Sequence, residues 1–148
     1  MTKLHHEIVI NAPVKKMWAV LANLENVAKY NPVVSHARYI SQNKEGVGAA
    51  RECEFKPKGS AKERVFEWEP ERVLAIELYE HNWPVKTMRW WTRLKPEGNN
   101  TRVTQVMEYE MKFGILGNLM NALMMKRKLN QGVTEIFENL KKFAEEQS

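Results

Sequence analysis

The sequence predicts an α+β fold: a seven-stranded, curved antiparallel sheet wrapped around one long C-terminal helix. Three observations carry this. The stretch from Gly114 to the C-terminus has no proline, is rich in Leu, Met, Lys and Glu, and repeats apolar residues at helical spacing. Nearly everything from Val34 to Met111 alternates in short segments broken by Gly, Pro and Asn turns. A single amphipathic helix cannot bury its stripe alone, so it needs that sheet to lie on.

Taken in order, Leu4 to Asn11 reads as a strand, with His6, Ile8 and Ile10 on one face. Pro13 suits the first position of a helix whose apolar side is Met17, Trp18, Val20 and Leu21. Asn23 is placed to cap a second short helix, Leu24 to Lys29, which Tyr30-Asn31-Pro32 ends. These are the two short helices between the first and second strands. Six strands follow: Val34 to Ser41, Val47 to Lys56, Ala61 to Trp68, Val73 to Glu80, Val85 to Lys95, and Thr101 to Lys112. Short links imply a meander. Alternation points Phe66 and Trp68, then Leu74, Ile76 and Leu78, then Met88, Trp90, Thr92 and Leu94, then Val103, Gln105, Met107, Tyr109 and Met111 toward the helix. In the second of the six strands, Arg51, Cys53 and Phe55 are assigned inward. Two carboxylates, Glu52 and Glu54, cost more in an apolar interior than one arginine with a partner.

The C-terminal element carries an internal conflict. Leu116, Leu119, Met120, Leu123 and Met124 form one stripe, and Leu129, Val133, Ile136, Leu140 and Ala144 form another. At about 100° per residue the apolar face swings by roughly 110° between them. The phase change predicts a break or bend between Met125 and Gly132, with the first half a less stable flap over a cavity mouth.

At 148 residues the chain is read as one domain, 1-148, large enough for a real core. No apolar run is long enough for a membrane span, and the N-terminus lacks the apolar segment of a signal peptide. Cys53 is the only cysteine, so neither an intrachain disulfide nor a cysteine metal cluster is expected, and a cytoplasmic setting fits. The net charge of +5 suits solubility or an anionic partner.

The layout resembles the helix-grip or START-like superfamily, SRPBCC, which includes the birch-pollen allergen, polyketide cyclases and lipid carriers. The resemblance runs through Ala12-Pro13-Val14 and a helix bearing Trp18, then Leu24-Glu25-Asn26-Val27 leading to Tyr30-Asn31-Pro32. It continues at Gly46-Val47-Gly48, at the aromatic–acid–proline turn in Glu67-Trp68-Glu69-Pro70, and at Gly98 with Thr101-Arg102-Val103, where Asn99-Asn100 separate parts that the family keeps together. It implies a helix-grip fold and a single START-like ligand-binding domain with the start of the last helix at the cavity mouth. It does not imply one activity, because this fold hosts carriers, enzymes and regulators.

The candidate ligand-binding residues are Arg51, Cys53, Phe55, Phe66, Trp68, Ile76, Trp90, Gln105, Met107, Tyr109, Leu119, Met120 and Leu123. They enclose an expected cavity of roughly 300–1,000 Å³. Arg51 is a forked donor for an acidic ligand, or else one half of a structural ion pair. His5 and His6 point to opposite faces, and His36 and His81 lack ligand spacing, so no metal is expected. Glu67/Glu69 and Glu108/Glu110 read as outer face, and Cys53 as an unreactive buried thiol. Catalytic residues are unassigned and no cofactor is implied. Trp90 and Trp91 point opposite ways and make no base-stacking platform, so nucleic acid is not expected. Lys126-Arg127-Lys128 after the methionines suits transient contact with a membrane surface. The reading is a carrier of a small hydrophobic molecule such as a lipid, isoprenoid or polyketide. The alternatives are a metal-free cyclase or dehydratase using the same cavity, and a regulator that binds proteins and no ligand.

Overall fold

A computed structural model describes residues 1–146. The chain runs β1 (Thr2–Ile10), α1 (Val14–Ala22), a 3-10 turn (Leu24–Asn26), α2 (Val27–Tyr30), β2 (Val34–Tyr39), β3 (Ala50–Phe55), β4 (Ser60–Glu69), β5 (Val73–Glu80), β6 (Val85–Glu97) and β7 (Asn100–Met111). It ends in α3 (Gly114–Met120), a π-helical turn (Asn121–Met125) and α4 (Lys126–Glu146). All strand pairs are antiparallel in the order β1-β7-β6-β5-β4-β3-β2, a meander whose last strand returns to lie beside the first. The predicted α+β helix-grip architecture is therefore present, with its seven strands and the short helices after β1.

Local chemistry explains the entry to the sheet. Pro13 precedes α1, where a missing N–H costs nothing. The Asn23 side chain accepts from the Glu25 amide at 3.2 Å and starts the 3-10 turn. That turn is pinned to the sheet because Tyr39 accepts from the Leu24 amide at 2.9 Å through its hydroxyl.

The core lies between the concave sheet face and α4. Val133, Phe137, Leu140 and Ala144 are all buried, at the i, i+4, i+7, i+11 spacing of one helical stripe. The end of α4 is tied to β1: Lys141 Nζ donates to the Val9 carbonyl at 3.2 Å, and Glu145 accepts from the Asn11 amide at 2.8 Å.

The conflict between the two apolar stripes is resolved differently from the expectation. There is no break between Met125 and Gly132, since Lys126–Glu146 is continuous α-helix. The irregularity falls one turn earlier, as the π turn, which takes up one extra residue. Of the second stripe, Val133, Leu140 and Ala144 are buried and Leu129 and Ile136 half-buried. In the first, Leu116, Leu119, Leu123 and Met124 face solvent, and α3 meets β7 through Gly117 instead. A Cβ at Gly117 would lie 1.8 Å from the Lys112 carbonyl oxygen, so only glycine permits this approach.

Candidate functional site

The register builds the inner face as rows running across the strands. One row is Leu4–Met107–Trp90–Ile76–Val65, and the next is His6–Gln105–Thr92–Leu74, continued on β4 by Trp68. Thr2–Tyr109–Met88 forms a third. Trp68, Ile76, Trp90, Gln105, Met107 and Tyr109 therefore share the concave side, as alternation requires. Ile76, Met107 and Tyr109 are buried, whereas Trp68 and Trp90 remain part-exposed although they point inward. Phe55 and Trp83 are also part-exposed, with ring centroids 5.1 Å apart, and Met120 and Met125 are half-buried on the helical side. Water thus reaches large apolar surfaces that face the interior.

Three predicted lining residues lie elsewhere. A β-bulge between Val65 and Glu67 reverses the phase of β4. Ala61, Glu63, Val65 and Trp68 point in, and Phe66 points out, where its ring packs edge-on to Trp91 at 5.4 Å beside the Arg89 guanidinium. Leu119 and Leu123 lie on the solvent side of α3 and the π turn. The expected large cavity is also not where it was placed. A hollow of about 340 Å³ follows the polar side of α4 at Asn130, Thr134 and Glu138, and one of about 210 Å³ lies at Lys62, Glu80 and Asn82. Neither hollow is lined by the part-exposed aromatics of the inner face.

Arg51 does point inward, and its partners there are protein groups. Its Nε donates to Glu63 Oε1 at 2.7 Å, and its Nη1 donates to the Leu24 carbonyl at 3.0 Å. Both side chains of the pair are buried. Burial works against the guanidinium charge, but the Glu63 carboxylate outweighs it and holds the arginine above its usual range. Burial first, then Glu63, pushes the neighbouring Cys53 thiol up to about 12, so it is no nucleophile near neutrality. Of the two readings of Arg51, the structure builds the ion pair, which joins β3 and β4 to the 3-10 turn. Glu63 is a partner that strict alternation from Phe66 and Trp68 had turned outward. The adjacent apolar pair Val65-Phe66 was the available sign of a bulge.

Two polar groupings remain on the inner face. The Tyr109 hydroxyl donates to Asn121 Oδ1, and Asn121 Nδ2 donates to Thr2 Oγ1 at 3.3 Å, which ties the π turn to β1 and β7. Burial raises the Tyr109 pKa, against the pull of Thr2 and Asn121. The second grouping is the row His6, Gln105 and Thr92. His6 Nδ1 is buried without a hydrogen-bond partner, and the ring meets Phe137 edge-on at 6.3 Å. Burial lowers the His6 pKa, so the imidazole is neutral near pH 7, with Asn130 of α4 opposing the shift. The period-two pattern that put His6 with Ile8 and Ile10 already contained this placement. Nothing in the sequence signalled Asn121. Among the described residues no group of three or more His, Cys, Asp and Glu side chains converges as a metal site would require.

Solved structures share this architecture. The Zhui aromatase/cyclase from Streptomyces sp. R1128 superposes with a TM-score of 0.84 at 15% identity, over 97% of this chain and 93% of its own. A START superfamily protein from Mycobacterium smegmatis gives 0.82 at 11% identity, over 99% of both chains. A Thermus thermophilus protein gives 0.82 at 20% identity, also over 99% of both. At such identities the likeness is one of fold. No curated protein sequence matches this chain. The family model described as "Polyketide cyclase / dehydrase and lipid transport" matches residues 1–145, and with the helix-grip sheet and its C-terminal helix in place, the chain belongs to that START-like family.

Proposed function

We propose that this protein binds and carries a small hydrophobic molecule, lipid-, isoprenoid- or polyketide-like, in the cleft between the sheet and the C-terminal helix. One observation carries the reading: Trp68 and Trp90 point into the concave face yet stay part-exposed, and Met120 and Met125 are half-buried on the helical side. A core without a guest would close over such surfaces, because each large side chain gains roughly 1.5–3 kcal/mol on full burial. Half-buried methionines on the helical side fit an adaptable apolar site. Gln105, Thr92 and His6 supply a few polar groups along one row to orient a ligand. Arg51 is left out of the contact set, since Glu63 and Leu24 occupy its donors. The lone buried thiol of Cys53 fits a reducing, cytoplasmic compartment.

A second reading, a cyclase or dehydratase-type enzyme, rests on His6. Its unpartnered Nδ1 and lowered pKa suit a neutral imidazole that takes a proton from a bound polyketone. Native mass spectrometry of protein purified from its own host tests the first reading, with an apolar molecule expected to co-purify. Trp90→Lys should abolish its retention. A clean apo mass, with tryptophan fluorescence unmoved by long-chain acyl and aromatic polyketone probes, refutes carriage.

A further inference from the structure

The outward face of α3 and the π turn has no place in a ligand-binding cleft. Phe113, Ile115, Leu116, Leu119, Leu123 and Met124 are between 56% and 87% exposed, unusual for six large apolar residues within one stretch of twelve. With Ile115 at zero, Leu119 lies near 40° and Leu116 near 100°, whereas packed Gly117 lies near 200°. The extra residue of the π turn returns Leu123 and Met124 to the same outer side. The structure holds this orientation actively. Gly117 seats the helix on the Lys112 carbonyl, and Asn121 is bonded to Tyr109 and Thr2 from the opposite side. Phe113 takes a left-handed backbone (φ 71°), a strained conformation for a bulky residue, with its ring in solvent.

Charge identifies the occupant. From Met111 to Thr134 there is no Asp or Glu, whereas Lys112, Lys126, Arg127 and Lys128 are all cationic. Lys126, Arg127 and Lys128 are exposed and follow the apolar face directly. Apolar side chains beside an unopposed basic cluster match a bilayer interface bearing anionic headgroups. A second copy of the chain would bring the same four cations toward their like, which repels. We propose that α3 and the π turn form a membrane-docking face that inserts its apolar side chains into the surface of an anionic bilayer. No helix of the described residues is long and apolar enough to cross a membrane, so contact is interfacial at this element. The proposal rests on exposure and charge and stands independently of ligand carriage.

Vesicle co-sedimentation with the full chain tests it. Vesicles of phosphatidylcholine mixed with phosphatidylserine should retain the protein, and phosphatidylcholine alone should retain much less. Leu116→Gln/Leu119→Gln/Leu123→Gln changes only exposed side chains and should leave the circular dichroism spectrum and melting unchanged while abolishing retention. Lys126→Gln/Arg127→Gln/Lys128→Gln should weaken it roughly a hundredfold, from about fivefold per basic residue. Equal retention by both vesicle types, or by neither, overturns the proposal. A wild-type dimer that the apolar triple variant dissociates, without vesicle binding, overturns it in favour of a second copy.

Discussion

Replacing Arg51 with methionine should unfold the protein easily and leave little to say about ligand affinity. The guanidinium makes two bonds of 2.7 Å and 3.0 Å to Glu63 and the Leu24 carbonyl, out of contact with bulk water. Removing it strands a buried carboxylate and an unpaired carbonyl together. Breaking one side of a buried pair costs about 3–5 kcal/mol, and the stranded carbonyl lies within that range, since such terms do not add. This is a large share of the roughly 5–15 kcal/mol that holds a domain of this size. Glu63→Leu alone should cost a similar amount, because it leaves an uncompensated cation. Arg51→Met/Glu63→Leu should recover most of the loss, since an apolar pair of similar volume needs no desolvation. Urea denaturation of the wild type, both single variants and the double variant closes the cycle. Single losses below about 1 kcal/mol, or a double variant as unstable as the two single losses summed, would refute the reading of Arg51 as a structural ion pair. An acid-bearing ligand that binds wild type but not a well-folded Arg51→Met variant would refute it from the other side.

Other consequences follow from single contacts. Gly117→Ala places a Cβ against the Lys112 carbonyl and should cost about 1–3 kcal/mol, with α3 lifted from β7. Gly132→Ala meets nothing within 4 Å and should stabilise α4 by up to about 1 kcal/mol, seen as a higher urea midpoint. Amide exchange should be faster at Leu119 to Met124 than at Ile136 to Leu140, because only the latter stretch is anchored by the buried stripe; equal protection contradicts this. Cys53, buried and pushed up to about 12, has roughly one part in ten thousand as thiolate at pH 8. Ellman's reagent should therefore react with the denatured chain far faster than with the folded protein. His6 titrates lower when folded than its ordinary 6.5, so the unfolded chain binds the proton more readily. Its contribution is fully present above about pH 6.5 and is lost as pH falls from there through the lower folded value, so His6→Gln should flatten the stability profile on the acid side of about pH 6.5. An unchanged profile would place His6 in water.

The architecture was legible in the order of residues alone. Turn residues cut the middle of the chain into strands, Pro13 and Asn23 placed the short helices, and helical spacing marked two apolar stripes in the C-terminal element. Those are local signals, set by backbone sterics and by period. Weighing the cost of burying two carboxylates favoured an inward Arg51 and Cys53, and alternation turned Gln105 inward; all three are buried. Tertiary structure decided the rest. Whether Arg51 meets a ligand or a partner depended on Glu63, whose direction follows from a one-residue bulge that period-two reasoning steps over. Phe66 was lost from the interior for the same reason. Which of two competing apolar stripes is buried was undetermined along the helix itself. The close seat of Gly117 on Lys112, the Tyr109–Asn121–Thr2 contacts and the extra residue of the π turn decided it, and left Leu119 and Leu123 in solvent. Periodicity tells a helix that it has an apolar face; only the surface it docks on fixes where that face points.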